Sequence, residues 1–379
     1  MPQFPTLDQV QTPALVLDRL KLAANAARLR GHIEGLGASF RPHLKTVKSV
    51  EAARVLQPEA RGPIAVSTLR EAEQFALAGA VDIIYAVGIA PDKLERVAEL
   101  RRQDVDLAII LDSAEQVAAV LAAQERFGIQ FAVLLEVDAD AVRAGLKPDD
   151  PLLTELGTRL SEGGAQLRGV LTHHGGSYAG RDEEALAAFA EEERLAAVTA
   201  ATALRAAGLP CPVVSVGSTP TATFARNLAG VTEVRAGVFA TGDLVMTEVG
   251  AVSRDDIALS VLATVTGAQR ERGRIFTNAG WTALSPDPGT RRNVYGLVSD
   301  VHGNVIPWLM VSQVSQEHGV LTLHPDAPAG TALPDLPYGS RVRIHTNHAC
   351  ATTAMHDQYL VVDGASGQIL ELWPIFRGW

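Results

Sequence analysis

The chain has 379 residues, 47% of them hydrophobic and 20% charged, with a formal net charge of −10. That length exceeds one ordinary core and suits two domains, or a barrel with an added domain. The acidic balance gives no electrostatic reason to expect nucleic acid or an anionic membrane as partner.

Residues 1–12, with Pro2, Pro5 and then Pro13, read as an arm. The N-terminus lacks a basic start followed by an apolar core, so no signal peptide is expected. No apolar run is long enough for a membrane span. Ala14–Asp18 is a short strand candidate, and a helix from about Leu20 to Leu36 follows, stopped by Gly37. Strands and helices then alternate. The strand candidates are Phe40–Lys45, Ile64–Ser67, Ile83–Val87, Leu107–Asp112, Ala132–Val137, Leu167–His173, Val213–Gly217 and Glu233–Gly237. Most are continuous Val/Ile/Leu-rich runs, as strands buried on both faces should be. Between them Thr68 and Ser113 can cap helices, Pro91 can open one, and Gly128 and Gly208 can close others. Eight such units predict an α/β fold, a (β/α)8 TIM barrel, over about residues 20–250. A doubly wound open sheet is the alternative. After residue 250 helical periodicity fades and short β-like pieces appear: Ala258–Val265, Arg274–Thr277, Val305–Val311, Gly319–Leu323, Arg341–His345 and Leu360–Asp363. This predicts a mostly β domain over 251–379, which residues 1–19 can join.

Chemistry in such a barrel gathers at the C-terminal strand ends. Those ends carry Lys45, Ser67, Asp112, Arg143 just after the fifth strand, His173, Gly217-Ser218-Thr219-Pro220-Thr221 and Arg235-Ala236-Gly237. Lysine becomes a nucleophile when burial or a neighbouring cation lowers its pKa, and Arg41, His43 and Lys48 are such neighbours. Small residues and hydroxyls let backbone amides approach a phosphate. A lysine, two arginines, a histidine and a Gly/Ser/Thr loop together would hold pyridoxal 5'-phosphate. Each piece has a plainer reading: a solvated basic loop around Lys45, an ordinary turn at Gly217–Thr221 with Thr221 as a helix cap, a polar loop at His173–Gly176, or a surface ion pair of Arg143 with Asp138 or Asp140. Farther on, His348 and Cys350 stand two apart. On a strand they would share a face, and imidazole plus thiolate suit Zn2+; a buried structural pair is the alternative. Two cysteines in all cannot build a disulfide framework, so a reducing cytoplasm fits. Cys211, between Leu209-Pro210 and Pro212, reads as core. His318 and His356 read as groups near the metal pair or as surface.

The motifs Arg-Pro-His-Leu-Lys-Thr (41–46), Val-Ser-Thr-Leu-Arg-Glu-Ala-Glu (66–73), Leu-Thr-His-His-Gly-Gly-Ser-Tyr (171–178), Val-Gly-Ser-Thr-Pro-Thr (216–221), Glu-Val-Arg-Ala-Gly (233–237) and Thr-Asn-His-Ala-Cys-Ala-Thr (346–352) span nearly the whole chain. In them it resembles the fold-type III pyridoxal-phosphate enzymes, the alanine-racemase-like barrels. Within these it is most similar to the branch of D-serine dehydratase, D-threo-3-hydroxyaspartate dehydratase and D-threonine aldolase. The resemblance implies that Lys45 forms the Schiff base and Arg143 contacts the phenolic O3'. It implies that His173 packs on the pyridine ring, that Tyr178 lines the pocket, and that Ser218, Thr219, Gly237 and Val238 hold the phosphate. Arg235 matches the arginine that faces the pyridine nitrogen in the racemases. His348 and Cys350 become ligands of a divalent metal, zinc first, with manganese or magnesium as alternatives.

The activity implied is dehydration of a D-3-hydroxy amino acid (D-threo-3-hydroxyaspartate, D-serine or D-threonine) to a keto acid and ammonia, by a cytoplasmic homodimer. A D-threonine aldolase is the runner-up; aldolases of this branch tend to carry His-x-Asp where this chain has His348-Ala349-Cys350. A non-catalytic cofactor-binding barrel, and a racemase with Tyr295 as its second-domain tyrosine, are further alternatives. Asn278 and Thr241-Gly242 depart from the family pattern and are expected to alter the substrate pocket. Arg291, Arg292 and His345 are candidates for binding a second substrate carboxylate.

Overall fold

A computed structural model describes residues 5–289 and 294–379. Arg291 and Arg292 lie outside the described residues. Eight strands form a parallel sheet: β2 (Ser39–Pro42), β3 (Ile64–Val66), β4 (Asp82–Gly88), β5 (Asp106–Leu111), β6 (Ala132–Val137), β7 (Gln166–Thr172), β8 (Val213–Val216) and β9 (Glu233–Ala236). For orientation, β1 (Ala14–Asp18) precedes them. Their order, β2-β9-β8-β7-β6-β5-β4-β3, is that of a barrel. Between β2 and β3 it closes through one bridge, His43 to Ala65, where Leu44 N donates to Ala65 O at 2.8 Å.

Side-chain alternation builds the barrel. Ala65, Ile84, Ala108, Ile110, Ala132, Leu134 and Leu171 form one buried cluster, while the alternate residues Leu107, Ile109, Leu111, Val133 and Leu135 belong to the larger core beneath the helices. Both faces are therefore buried, which is why these strands read as unbroken apolar runs. The intervening helices have the expected stops: Ser113 and Gln116 form a reciprocal cap, and Gly128 ends that helix at φ +63°. Arg41 on β2 is buried and donates to Glu233 at 2.9 Å and to Asp82 at 2.8 Å. Arg41, read from sequence as a neighbour of the lysine, is thus spent inside the barrel wall.

The expected first barrel strand ran to Lys45, but β2 ends at Pro42. Val47 N and Lys48 N both turn back to Leu44 O, winding residues 43–48 into a turn. Lys45 therefore projects from a turn beyond the strand.

The second sheet contains β1 with β10 (Leu259–Gln269), β11 (Arg274–Thr277), β12 (Gly296–Ser299), β13 (Val305–Val314), β14 (Gly319–Leu323), β15 (Arg341–His345), β16 (Gln358–Val362) and β17 (Glu371–Pro374). Its order is β11-β14-β13-β12-β15-β10-β1-β16-β17. β1 runs antiparallel to β10 and parallel to β16, so the chain starts in this sheet, builds the barrel and returns. Sequence periodicity missed β12 and β17. Each has four residues, and β12 opens at Gly296, where a Cβ would stand 2.5 Å from Ile344 Cγ2 and 2.8 Å from His345 O. Among the described residues no helix is long and apolar enough to cross a membrane.

Candidate active site

A cavity of about 560 Å³ opens where the barrel's C-terminal rim meets the second sheet. All eleven residues singled out from sequence line it: Lys45, Arg143, His173, Tyr178, Ser218, Thr219, Arg235, Gly237, Val238, His348 and Cys350. His43, Glu136, Asp243 and Asp287 line it as well. A groove of about 550 Å³ along β1 and β16 has no lysine or arginine in its lining, so the first cavity is where chemistry is expected.

The Lys45 turn is pinned from both halves. Tyr359 on β16 donates its buried hydroxyl to Val47 O at 2.8 Å, and Phe376 N donates to Lys48 O at 2.9 Å. Lys48 itself pairs with the buried carboxylate of Glu71. His43 lies under the lysine with Nε2 3.4 Å from Ser67 Oγ. Burial, then the charge of Lys45, pushes its imidazole well below the usual value, so it is neutral.

Across from the lysine lie two glycine loops. Gly217 sits at φ +132°, and a Cβ there would stand 2.1 Å from Arg235 O. Only glycine allows the β8 and β9 rims to approach this closely. Ser218 accepts from Thr221 N while Thr221 Oγ1 accepts from Ser218 N at 2.9 Å. The plain reading, a capped turn, therefore also holds. Thr219 Oγ1 accepts from Phe239 N at 3.1 Å, which ties the two loops together. At Gly237 a Cβ would crowd His43 O and Thr46 Oγ1 at 3.0 Å.

His173 Nδ1 lies 3.0 Å from Gly217 O. A carbonyl only accepts, so Nδ1 carries the proton. Burial lowers this imidazole to about 3, with Arg143 and Lys45 adding to the effect; it is a neutral platform with fixed orientation. Tyr178 is tilted against it, ring centroids 6.1 Å apart. Burial raises the phenol further, and Cys350 adds to this, so Tyr178 keeps its proton. Arg235 donates to Ser215 Oγ at 2.5 Å and Thr172 O at 2.6 Å. Burial lowers it to about 10, still charged at neutral pH. Glu136, which sequence reasoning passed over, faces both arginines; burial and then Asp112 raise it to about 7. Arg143 is exposed at the cavity mouth, and among the described residues it forms no ion pair with Asp138 or Asp140, the partners weighed for it. Asp138 accepts from Asp140 N and Ala141 N, and Asp140 from Gly176 N.

His348 and Cys350 are not on a strand. His348 is the extended N-cap (φ −136°, ψ 92°) of the short helix Ala349–Thr353. The change from extended to helical backbone brings the two side chains onto the cavity, as an uninterrupted strand would also have done. Their mutual hydrogen bond is the main cause raising His348 to about 9. Burial pushes the Cys350 thiol up, but His348 and Lys45 outweigh this and the net shift is downward. Asp243 Oδ2 accepts from Ala349 N at 3.0 Å and Oδ1 from Met246 N at 2.8 Å. Burial raises this carboxyl to about 6 despite both bonds. Asp287 Oδ2 is 3.4 Å from His348 Nδ1. Nothing in the local sequence marked Asp287.

Other expectations fall away from the cavity. His345 is buried beside Arg343 and Lys21 and does not line it, because its side chain belongs to the β15 interior. Asn278 receives Thr264 N and donates to Thr12 O at 2.9 Å, so it pins the arm rather than shaping the pocket. Thr241 and Gly242 lie beneath Asp243 without reaching the lining; Thr241 O accepts from Ala258 N. Tyr295 is likewise absent from it. Cys211 is core. His318 is exposed, and His356 bonds Ala283 O.

The residues present fit both implied groups. For pyridoxal phosphate there is one lysine, a two-loop cradle that a Cβ would fill, and two arginines in one cavity. For a divalent metal there is an imidazole and a thiol on one wall. Among the described residues no cluster of three or more His, Cys, Asp or Glu could hold a metal, so a metal here would have two protein ligands and coordination positions left over.

The chain matches the family model for the alanine racemase N-terminal domain over residues 17–245 and a serine dehydratase domain model over 258–362. It is 46% identical to D-threo-3-hydroxyaspartate dehydratase of Delftia sp. (strain HT23), covering 99% of both chains. That enzyme's structure superposes with a TM-score of 0.94 over 99% of this chain and 100% of that one. A D-serine dehydratase of Dictyostelium discoideum is 29% identical over 98% of each chain. A D-threonine aldolase of Arthrobacter is 30% identical over 97% of this chain and 93% of its own. A cysteine-to-alanine mutant of a D-threo-3-hydroxyaspartate dehydratase in the metal-free form, 45% identical, superposes equally well, with a TM-score of 0.94 over 99% of this chain and 100% of that one.

Proposed function

The chain belongs to the family that joins an alanine racemase N-terminal domain to a serine dehydratase domain, and from that premise we propose that it is a lyase dehydrating D-3-hydroxy amino acids, with D-threo-3-hydroxyaspartate as its first substrate. The observation that carries this reading is the meeting of Lys45 and the His348–Cys350 pair on one cavity. The 46% identity to a dehydratase of that substrate, against 30% to an aldolase, supports the choice of reaction and substrate.

Pyridoxal phosphate, when bound, supplies the sink for negative charge at Cα, and a divalent metal supplies a Lewis acid for a poor leaving group. Lys45 would hold the cofactor and, once freed by the substrate amine, take the Cα proton on its Nζ. Arg143 would meet O3', and the amides and hydroxyls of Ser218, Thr219, Gly237 and Val238 the phosphate. Arg235, anchored by Ser215 and Thr172, would face the pyridine nitrogen. His173 offers a flat neutral surface and no mobile proton, because Nδ1–H is committed to Gly217 O. Tyr178 keeps its O–H and can donate but not abstract. His348 and Cys350 would hold the metal, zinc before manganese or magnesium, at the side where the β-oxygen departs. Overall, water leaves across Cα–Cβ; the released enamine is hydrolysed to keto acid and ammonia.

Incubating purified protein with D-threo-3-hydroxyaspartate, D-serine and D-threonine, and assaying keto acid, ammonia, glycine and aldehyde, tests this. Keto acid and ammonia in equal amounts are expected. Glycine and an aldehyde as main products would replace the dehydratase with an aldolase.

A further inference from the structure

Thr46, next to Lys45, is fully buried, and its Oγ1 lies 3.1 Å from Cys350 Sγ, 304 residues along the chain. The contact crosses from the barrel to the second domain at the cavity wall. Its position is over-determined. Val47 O and Lys48 O are held by Tyr359 and Phe376, and Gly237 leaves just enough room for the Thr46 hydroxyl. On the other side, Ala349 N is bound to Asp243, so the turn carrying Cys350 is fixed too. Two rigid segments thus meet through one hydroxyl and one sulfur.

A metal-bound cysteine is a thiolate, which can accept a hydrogen bond but not donate one. In that state the Thr46 hydroxyl must be the donor. We propose that Thr46 is a positioning residue for the metal site: it donates to the Cys350 sulfur and locks the metal-binding thiolate to the turn that carries Lys45. This rests on reading His348 and Cys350 as metal ligands. It gives the chain a reason to place a β-branched hydroxyl residue directly after the cofactor lysine. The same turn sets where the proton acceptor stands and where the leaving oxygen is drawn, so the two cannot drift apart independently.

The test uses the cofactor-loaded enzyme, stripped of metal and titrated with zinc against a chromophoric chelator. Thr46→Val keeps shape and removes the donor; Thr46→Ser keeps the donor. Loss of an outer partner of a metal ligand lowers affinity about 10–100-fold, and that drop is expected for Thr46→Val, with Thr46→Ser close to wild type. The visible absorbance of the lysine-bound cofactor should be unchanged in both. A hydroxyl serving only the fold would lower the thermal midpoint and leave zinc affinity alone, and that result would overturn the proposal. If Thr46→Val does not fold, Thr46→Ala answers the same question, with Thr46→Ser as the donor-retaining partner. Cys350→Ala is titrated in parallel. If it binds zinc as tightly as wild type, the ligand assignment itself fails. If it loses zinc while Thr46→Val does not, only the role of Thr46 fails.

Discussion

Replacing Gly217 with alanine tests whether the close approach of two barrel strands builds the cofactor site. A Cβ there would lie 2.1 Å from Arg235 O and 2.7 Å from Arg235 N. Carbon normally meets a carbonyl oxygen at about 3.3 Å or more, so the β8 and β9 rims would have to part by about 1 Å. The backbone at φ +132° adds strain of about 1–3 kcal/mol for a residue with a side chain, and overpacking against fixed backbone adds about 1–3 kcal/mol. The sum is about 2–6 kcal/mol of lost stability. Gly208→Ala is the control: it shares a positive φ, +76°, but has nothing within 4 Å, so about 1–2 kcal/mol is expected. Moving Gly217 also moves the carbonyl that orients His173 and the amide of Ser218. Since about 1.4 kcal/mol is tenfold in affinity, cofactor binding should weaken at least about tenfold. Denaturant unfolding gives the first quantity and absorbance titration with pyridoxal phosphate the second. A Gly217→Ala protein that matches Gly208→Ala in both would refute the reasoning.

Lys45→Ala should yield protein in which borohydride traps no cofactor, because among the described residues Lys45 is the one lysine lining the cavity; a cofactor adduct that borohydride still reduces onto a lysine of the variant would overturn the assignment. Cys350→Ala, or chelation, should abolish keto-acid formation while the visible cofactor absorbance remains; full activity in demonstrably metal-free enzyme would count against the metal's role in elimination. Arg41→Ala leaves Glu233 buried without its main partner and should cost about 3–5 kcal/mol, read by denaturant midpoint. His345 is held near 3 mainly by burial, against about 6.5 in an unfolded chain. Its folded value is depressed, so its contribution is complete above pH 6.5 and is lost as pH falls toward 3, at up to about 1.4 kcal/mol per pH unit. His345→Gln should flatten the acid limb of the stability–pH curve, and an unchanged slope between pH 6 and 4 would contradict the buried neutral state.

Much of this molecule was legible in the sequence because two signals are local. Barrel strands buried on both faces must be continuous apolar runs, so Ile64, Ile83, Leu107, Ala132 and their neighbours showed themselves without partners. Chemistry at strand ends follows from topology, so Lys45, Arg143, His173 and the Gly217 and Gly237 loops could be named before their distances were known. Local signals stop where conformation is set by distant contacts. That Lys45 rides a turn rather than a strand was decided by Leu44 pairing with Ala65 and by Tyr359 and Phe376 gripping the far side. That His348 and Cys350 stand at a helix cap depends on Asp243, more than a hundred residues earlier, holding the amide between them. Glu136, Asp243 and Asp287 gave no sequence signal, because a carboxylate is ordinary until burial raises its pKa or a distant imidazole meets it. Strand-end position, together with the family motifs, determined that Lys45, Arg143, His173 and the two glycine loops face the cavity; only the packing of one domain against the other brought Glu136, Asp243 and Asp287 to it and decided how hydrogen bonds and charges are shared.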